Sequence, residues 1–189
     1  GRVMASVPRP LLLGVEVGGT SLRLAVASAP KRLLGRRTVP TSAQEAPDVL
    51  LRIIVEVAHE LMQEARGWVK AAGVGFAGPL NPRTGMVLAA PHLPRFRNAP
   101  LRQLLEDGLG VPVAWEHDAN VALMAEHRYG AGRSYRDIVY VGVGTGIAGA
   151  VMVEGKLYHG SVGAAAEFGH MTIADDGPLC ACGERGCWE

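Results

Sequence analysis

No apolar run in this chain of 189 residues approaches the ~18 consecutive residues of a membrane-spanning helix, so a helical membrane protein is excluded. Cysteine is scarce: there are 3, all between positions 180 and 187. An odd number so placed does not suit a closed disulfide framework, and the cytoplasm is the expected compartment. No sign of charge dominates either, since 19 Lys and Arg face 18 Asp and Glu for a net +1. That balance gives no footprint for nucleic acid and no polybasic patch for a membrane surface. A convincing signal-peptide cleavage site is also missing, because the short apolar run of the opening GRVMASVPRPLLLGVEV continues directly into a patterned strand. What is abundant is apolar residue content, 48% against 20% charged, enough for a sizeable core in one domain or one and a fraction of a larger one. With 25 glycines and 12 prolines, the composition points to a loop-rich α/β protein.

Residues 1–10 read as a disordered lead. LLLGVEV (11–17) and LRLAVAS (22–28) are strand-like runs around the turn GGTS, and RLLGRRTVP (32–40) adds a third strand to a meander. From 47 to 65, Val49, Leu50, Ile53, Ile54, Val57, Leu61 and Met62 recur at helical spacing, with Pro47 at the start and Gly67 beyond the end. AAGVGFAG (71–78) is a buried strand and GMVLAA (85–90) a shorter one. Pro100 opens a helix that runs into the strand VPVAWEH (111–117), and DANVALMAEHRY (118–129) is a further helix ended by Gly130. DIVYVGVG (137–144) and GAVMVEG (149–155) are strands around TGIA.

A strand pair with a glycine-threonine turn thus occurs twice. Most such turns merely satisfy backbone geometry. Two of them facing across a cleft could surround a polyphosphate with backbone N–H donors, with hydroxyls from Thr20 and Thr145. The cysteines form C-x-C-G-x-x-G-C, in which Gly183 and Gly186 let a short loop fold back. Thiolates are soft ligands and structural zinc takes four in a tetrahedron; Cys180, Cys182 and Cys187 supply three, and His170 is the fourth. The alternatives are three reduced cysteines in a surface loop, or a redox pair with one left over. Because C-x-C with a third cysteine five further on is a poor disulfide scaffold, the cluster reads as a metal knuckle.

Glu167 and Glu189 flank the knuckle. An imidazole with one nitrogen on zinc leaves the other free to donate a hydrogen bond. A fixed donor beside charged acceptors suits a polyhydroxylated ligand; the plainer reading is two surface glutamates. Asp118 follows a strand and opens a helix, where Asp is a good N-cap. A carboxylate at a strand end can equally accept the proton of an attacking hydroxyl. Position alone does not choose.

GVEVGGTSLRLAV, GVGFAGPLNPRTGMVL, EHDAN, GTGIAGAV, AAEFGH and CACGERGCWE occur in the order found in the ROK family. That family comprises repressors, uncharacterised reading frames and sugar kinases, among them bacterial glucokinases and N-acetylmannosamine kinases, and the chain resembles it over roughly residues 11–189. The resemblance implies an α/β, actin-like and hexokinase-like two-lobed ATPase fold with ribonuclease H-like lobes, the first over 11–117 and the second from 118 to 189 and incomplete. It implies that Glu16, Gly18, Gly19 and Thr20, with Gly144, Thr145 and Gly146, bind ATP and its magnesium. It implies Asp118 as catalytic base, and Gly78, His117, Asp118, Glu167, His170 and Glu189 as sugar contacts, with zinc held by His170, Cys180, Cys182 and Cys187.

The chain departs from the family pattern at three places. Glu16 stands where Asp is usual and lengthens the reach toward magnesium-bound water. His117 stands where Asn, a sugar contact, is usual. Ala148 and Ala150 replace common glycines, and two extra methyls could crowd the nucleotide. Family kinases run to around three hundred residues, so the chain reads as a fragment with little kinase activity alone and as a homo-oligomer when full length. The implied activity is ATP-dependent phosphorylation of a hexose, glucose first. N-acetylmannosamine kinase or a fragment of a sugar-sensing repressor are the alternatives. A repressor would carry a DNA-binding domain ahead of the lobes, which ten residues before the first strand cannot supply.

Overall fold

The computed structural model describes residues 9–42, 45–78, 80–81, 83–87, 94–96, 98–144 and 146–189. Its first sheet opens with an antiparallel meander, β1 (Arg9–Val17), β2 (Ser21–Ala29) and β3 (Arg32–Pro40). In β1 alternate residues Leu11, Leu13, Val15 and Val17 are buried while Leu12 and Glu16 are exposed, the period-2 pattern of a sheet with one covered face. The expected lead is shorter than 1–10, because Arg9 and Pro10 already pair with Gly67 and Trp68 of the neighbouring strand. Residues 1–8 lie outside the described residues.

Helix α1 (Pro47–Ala65) lies where its spacing predicts, burying Leu50, Ile54, Val57, Ala58, Leu61 and Ala65. It stops at Arg66, which takes a left-handed φ of 50° and donates its N–H to the Gln63 and Met62 carbonyls. That cap turns the chain directly into β4 (Gly67–Phe76), parallel to β1, four residues before the expected strand start. The early residues alternate Trp68 and Lys70 outside with Val69 inside, so they lack the continuous apolar run that marks the later part. β5 (Leu80–Asn81) and β6 (Met86–Val87) make a small hairpin whose turn is held by Asn81 Oδ1 accepting from the Arg83 and Thr84 amides. Residues 88–90 of the expected strand lie outside the described residues. α2 (Leu101–Leu109) leads into β7 (Val113–His117), parallel to β4, and completes the sheet order β3-β2-β1-β4-β7.

α3 (Asp118–Tyr129) begins where β7 ends. A second, antiparallel sheet follows, β8 (Ile138–Val143), β9 (Ile147–Val153) and β10 (Lys156–Leu157), in the order β10-β9-β8. The first sheet and its two helices share one large core, centred on Phe76 with Trp115 stacked at 5.4 Å and Phe96 at 6.0 Å. The second core is small: Ala119, Leu123, Ala150 and Met152, with Ile138, Tyr140, Ala148 and Leu157 around them. Lys31, in the β2–β3 turn, reaches over to α3 and donates to the Tyr129 carbonyl at 3.3 Å. Among the described residues no helix is long and apolar enough to cross a membrane.

Candidate functional site

The segment after β10 has almost no regular structure, only the short 3-10 turn Phe168–His170, yet it converges tightly. Single ligand atoms of His170, Cys180, Cys182 and Cys187 all lie within 4.8 Å of one another. His170 Nδ1 is 3.6 Å from Cys180 Sγ, and Cys182 Sγ is 3.7 Å from Cys187 Sγ. Ligands about 2.3 Å from a tetrahedral ion sit about 3.75 Å apart, so these spacings fit zinc, and one nitrogen with three sulfurs is a donor set it favours. Gly186, at φ 67°, leaves no room for a side chain against Ala174, which lets the loop close on itself. The thiols are unequal. The Glu184 backbone hydrogen bond is the main influence drawing the Cys182 thiol below its ordinary range. Loss of hydration first, then hydrogen bonding with Cys182 and Cys180, pushes Cys187 up to about 12.

Glu189 ties the knuckle to the second glycine turn. Its Oε1 lies 3.5 Å from His170 Nδ1 and 3.9 Å from Cys180 Sγ. Its Oε2 accepts the Ile147 N–H at 3.1 Å, and a Cβ at Gly146 would stand 2.6 Å from that same oxygen. Gly144 donates to the Gly146 carbonyl at 2.9 Å, closing the turn; Thr145 lies outside the described residues. Ala150 is fully buried and Ala148 packs beside it, both in the small core of the second sheet. Gly149, on the opposite face, has no space for a side chain against the Ala166 carbonyl and the Phe168 ring. Glu167, half-buried, opens the turn Phe168–His170, and its carbonyl accepts the His170 N–H at 3.1 Å.

On the first sheet, Gly18 donates to the Ser21 carbonyl at 3.0 Å, and Thr41 clasps the turn from β3, its N–H on Thr20 O and its hydroxyl on Gly18 O. Gly19 is half-buried and Thr20 exposed. Gly78 is brought beside this turn, since the preceding Ala77 donates to the Val17 carbonyl at 3.0 Å. Glu16 is engaged: Arg23, its cross-strand partner, bonds its carboxylate at 2.6 Å.

Asp118 is not the N-cap of α3. His117 holds that position without a side-chain cap bond, and Asp118 is the first residue inside the helix. One carboxylate oxygen takes the Ala119 N–H at 2.7 Å and lies 3.5 Å from His117 Nδ1. About a third of the side chain remains exposed, at 34%. A partner group that the motif reading passes over is Glu116, which accepts from His117 N (2.9 Å), Asn120 Nδ2 (3.0 Å) and His159 Nε2 (2.8 Å). The i, i+4 spacing of Glu116 and Asn120 carries part of that signal; the link to His159, 43 positions away, has none.

The model of the ROK family matches residues 12–189. A glucokinase of Streptomyces coelicolor is 35% identical over 185 residues, spanning 95% of this chain and 55% of the relative. An N-acetylmannosamine kinase of Salmonella newport is 36% identical over 179 residues, spanning 94% of this chain and 59% of the relative. The crystal structure of a ROK family glucokinase from Streptomyces griseus, in complex with glucose and AMPPNP, superposes with a TM-score of 0.85 at 36% identity, covering 95% of this chain and 56% of that one. The expected α/β, hexokinase-like and actin-like fold is therefore present, and the chain spans about half the length of the relatives it matches.

Proposed function

This chain belongs to the ROK family, and from that premise we propose that it carries the phosphate turns, sugar-binding groups and general base of an ATP-dependent hexose kinase acting first on glucose. The boundary between lobes falls at Asp118, where the strand that closes the first sheet gives way to the helix that supports the second. The turns Gly18–Thr20 and Gly144–Gly146 cradle the polyphosphate with backbone N–H groups. Glu167, His170 and Glu189 receive the sugar hydroxyls, with Gly78 and His117 along the same cleft. Asp118 accepts the proton of the 6-hydroxyl as that oxygen bonds to the γ-phosphorus, the bond to the β,γ-bridging oxygen breaks, and ADP leaves. Magnesium on the nucleotide would supply countercharge for the transferring phosphoryl group.

The observation that carries this reading is the placement of Glu189, with one oxygen at the His170–Cys180 pair and the other on the amide after the second glycine turn. A single carboxylate thereby joins the sugar half of the site to the phosphate half. His170, Cys180, Cys182 and Cys187 would hold zinc, which when bound fixes the loop and leaves the second imidazole nitrogen for the sugar. Arg23 keeps the longer Glu16 side chain on β2, offsetting the extra reach that glutamate brings in place of aspartate.

N-acetylmannosamine is the second candidate substrate, supported by a relative as similar as the glucokinase. Coupled ADP-release assays on a full-length version, across glucose, mannose, fructose and N-acetylmannosamine, separate the two, and the Asp118 variant is made in that same version. Asp118→Asn should lower turnover at least ~10³-fold while glucose affinity stays within about threefold. Turnover retained in that variant would return Asp118 to a purely structural role in α3. Sugar binding with no turnover on any of the four would favour the sensor reading.

A further inference from the structure

Glu116 and Asp118 lie two residues apart at the end of β7, and the two oxygens of Glu116 are used differently. Oε1 accepts from His117 N and from Asn120 Nδ2, and Asn120 is buried at 8% exposure. Those bonds lock the side chain to the base of α3 and aim Oε2 outward. Oε2 meets His159 Nε2 at 2.8 Å, so that ring nitrogen carries the proton. The Glu116 side chain is 17% exposed and His159 34%, which makes this a partly dehydrated, charge-assisted bond rather than a surface ion pair.

The other end of His159 is anchored too. Its carbonyl accepts the Ala165 N–H at 3.2 Å, closing the loop 160–164. Ala165 is two residues from Glu167. Between them Ala166 sits at φ 68°, a left-handed conformation costly for any residue with a side chain, so the surroundings must hold it there. The Phe168 N–H on Ala166 O, at 2.7 Å, then starts the turn that presents His170. The path thus runs Asp118, Glu116, His159, Ala165, Glu167: hydrogen bonds make the two middle steps, Glu116–His159 and His159–Ala165, and two residues of backbone make each outer one.

We infer that His159 and Glu116 are positioning residues, which set the distance between the base Asp118 and the sugar-contacting turn Glu167–His170. Neither touches the substrate. Their action is to hold a strained, irregular segment of one lobe in register with a strand end of the other. The inference rests on the hexose-binding reading above for its functional consequence, but not for its geometry.

The test is isothermal titration of the chain with glucose, in parallel with amide hydrogen exchange. His159→Ala should weaken glucose binding about tenfold, the scale of one charge-assisted hydrogen bond. His159→Gln, whose amide N–H reaches about as far as Nε2, should restore affinity to within about twofold of the parent. The Glu116→Gln/His159→Ala pair, in which an amide oxygen can still accept from His117 N and Asn120 Nδ2, should be no weaker than His159→Ala alone, because the group it changes acts through the His159 bond. Undiminished affinity in His159→Ala, or a Gln variant as weak as the Ala variant, overturns the inference. If the parent chain takes up no glucose, the hexose reading fails, and exchange alone decides the positioning claim. Phe168 and Met171 amides should then exchange about tenfold faster in His159→Ala than in His159→Gln, with β1 and β4 amides unchanged. Equal exchange in the two variants would sink it.

Discussion

A Cβ on Gly149 would collide with the Ala166 carbonyl and the Phe168 ring, both part of the backbone arch that holds Glu167. Gly149→Ala therefore has to push that arch away from β9. We expect a loss of about 1–3 kcal/mol, seen as a lower denaturant midpoint with the slope unchanged. Unaltered stability would mean that the arch is free to move. At Cys187 the pKa near 12 means that the thiol carries its proton at neutral pH. Metal capture needs the thiolate and must expel that proton, so apparent zinc affinity should fall as pH falls. Calorimetry in buffers of different ionisation enthalpy reads the released protons directly; zinc uptake without proton release would contradict the assignment. The cluster was legible because one histidine and three cysteines within eighteen positions leave little choice of which side chains converge. The packing of Ala148 and Ala150 against the small core was not, since a motif does not say which face of a strand points toward the core.

At the scale of elements, α1 shows what periodicity can establish. Its apolar positions predict the buried face, and its end follows from Gly67 being committed to the next strand. Leu61 is fully buried and packs beneath Gly35 of β3, so Leu61→Ala should cost about 2–5 kcal/mol, measured by chemical denaturation. A cost under about 1 kcal/mol would show that the helix is only loosely docked. The short strands β5 and β10, two residues each, offer no period to detect. They form because a turn brings their partners into reach, as Asn81 does for the β5–β6 hairpin. The link from Glu116 to His159 was invisible for a related reason: it is a product of how β7 and the loop after β10 meet, and no local pattern encodes that meeting.

Across the whole molecule the two sheets are unequally supported. The first has the large core, whereas the second has four buried residues and depends on α3, Glu189 and the knuckle. Chelation should therefore loosen residues 168–189 selectively. Trp188, whose N–H bonds Met171 O at 3.0 Å, should change its emission on metal removal while the far-UV helical signal is largely kept; comparison with Trp188→Phe assigns the change. Simultaneous loss of both signals would show one cooperative unit. The two sheet borders also differ in their outward chemistry. β3 carries the exposed Arg32 and Arg36 on its free border, and these cations discourage another chain from adding on. β8, the border of the second sheet, instead turns Val139, Val141 and Val143 to solvent at 64%, 40% and 77% exposure. In concentrated solution, this 189-residue stretch taken by itself should consequently self-associate first along the valine border, and its shelf life will be governed by whatever shields those three side chains.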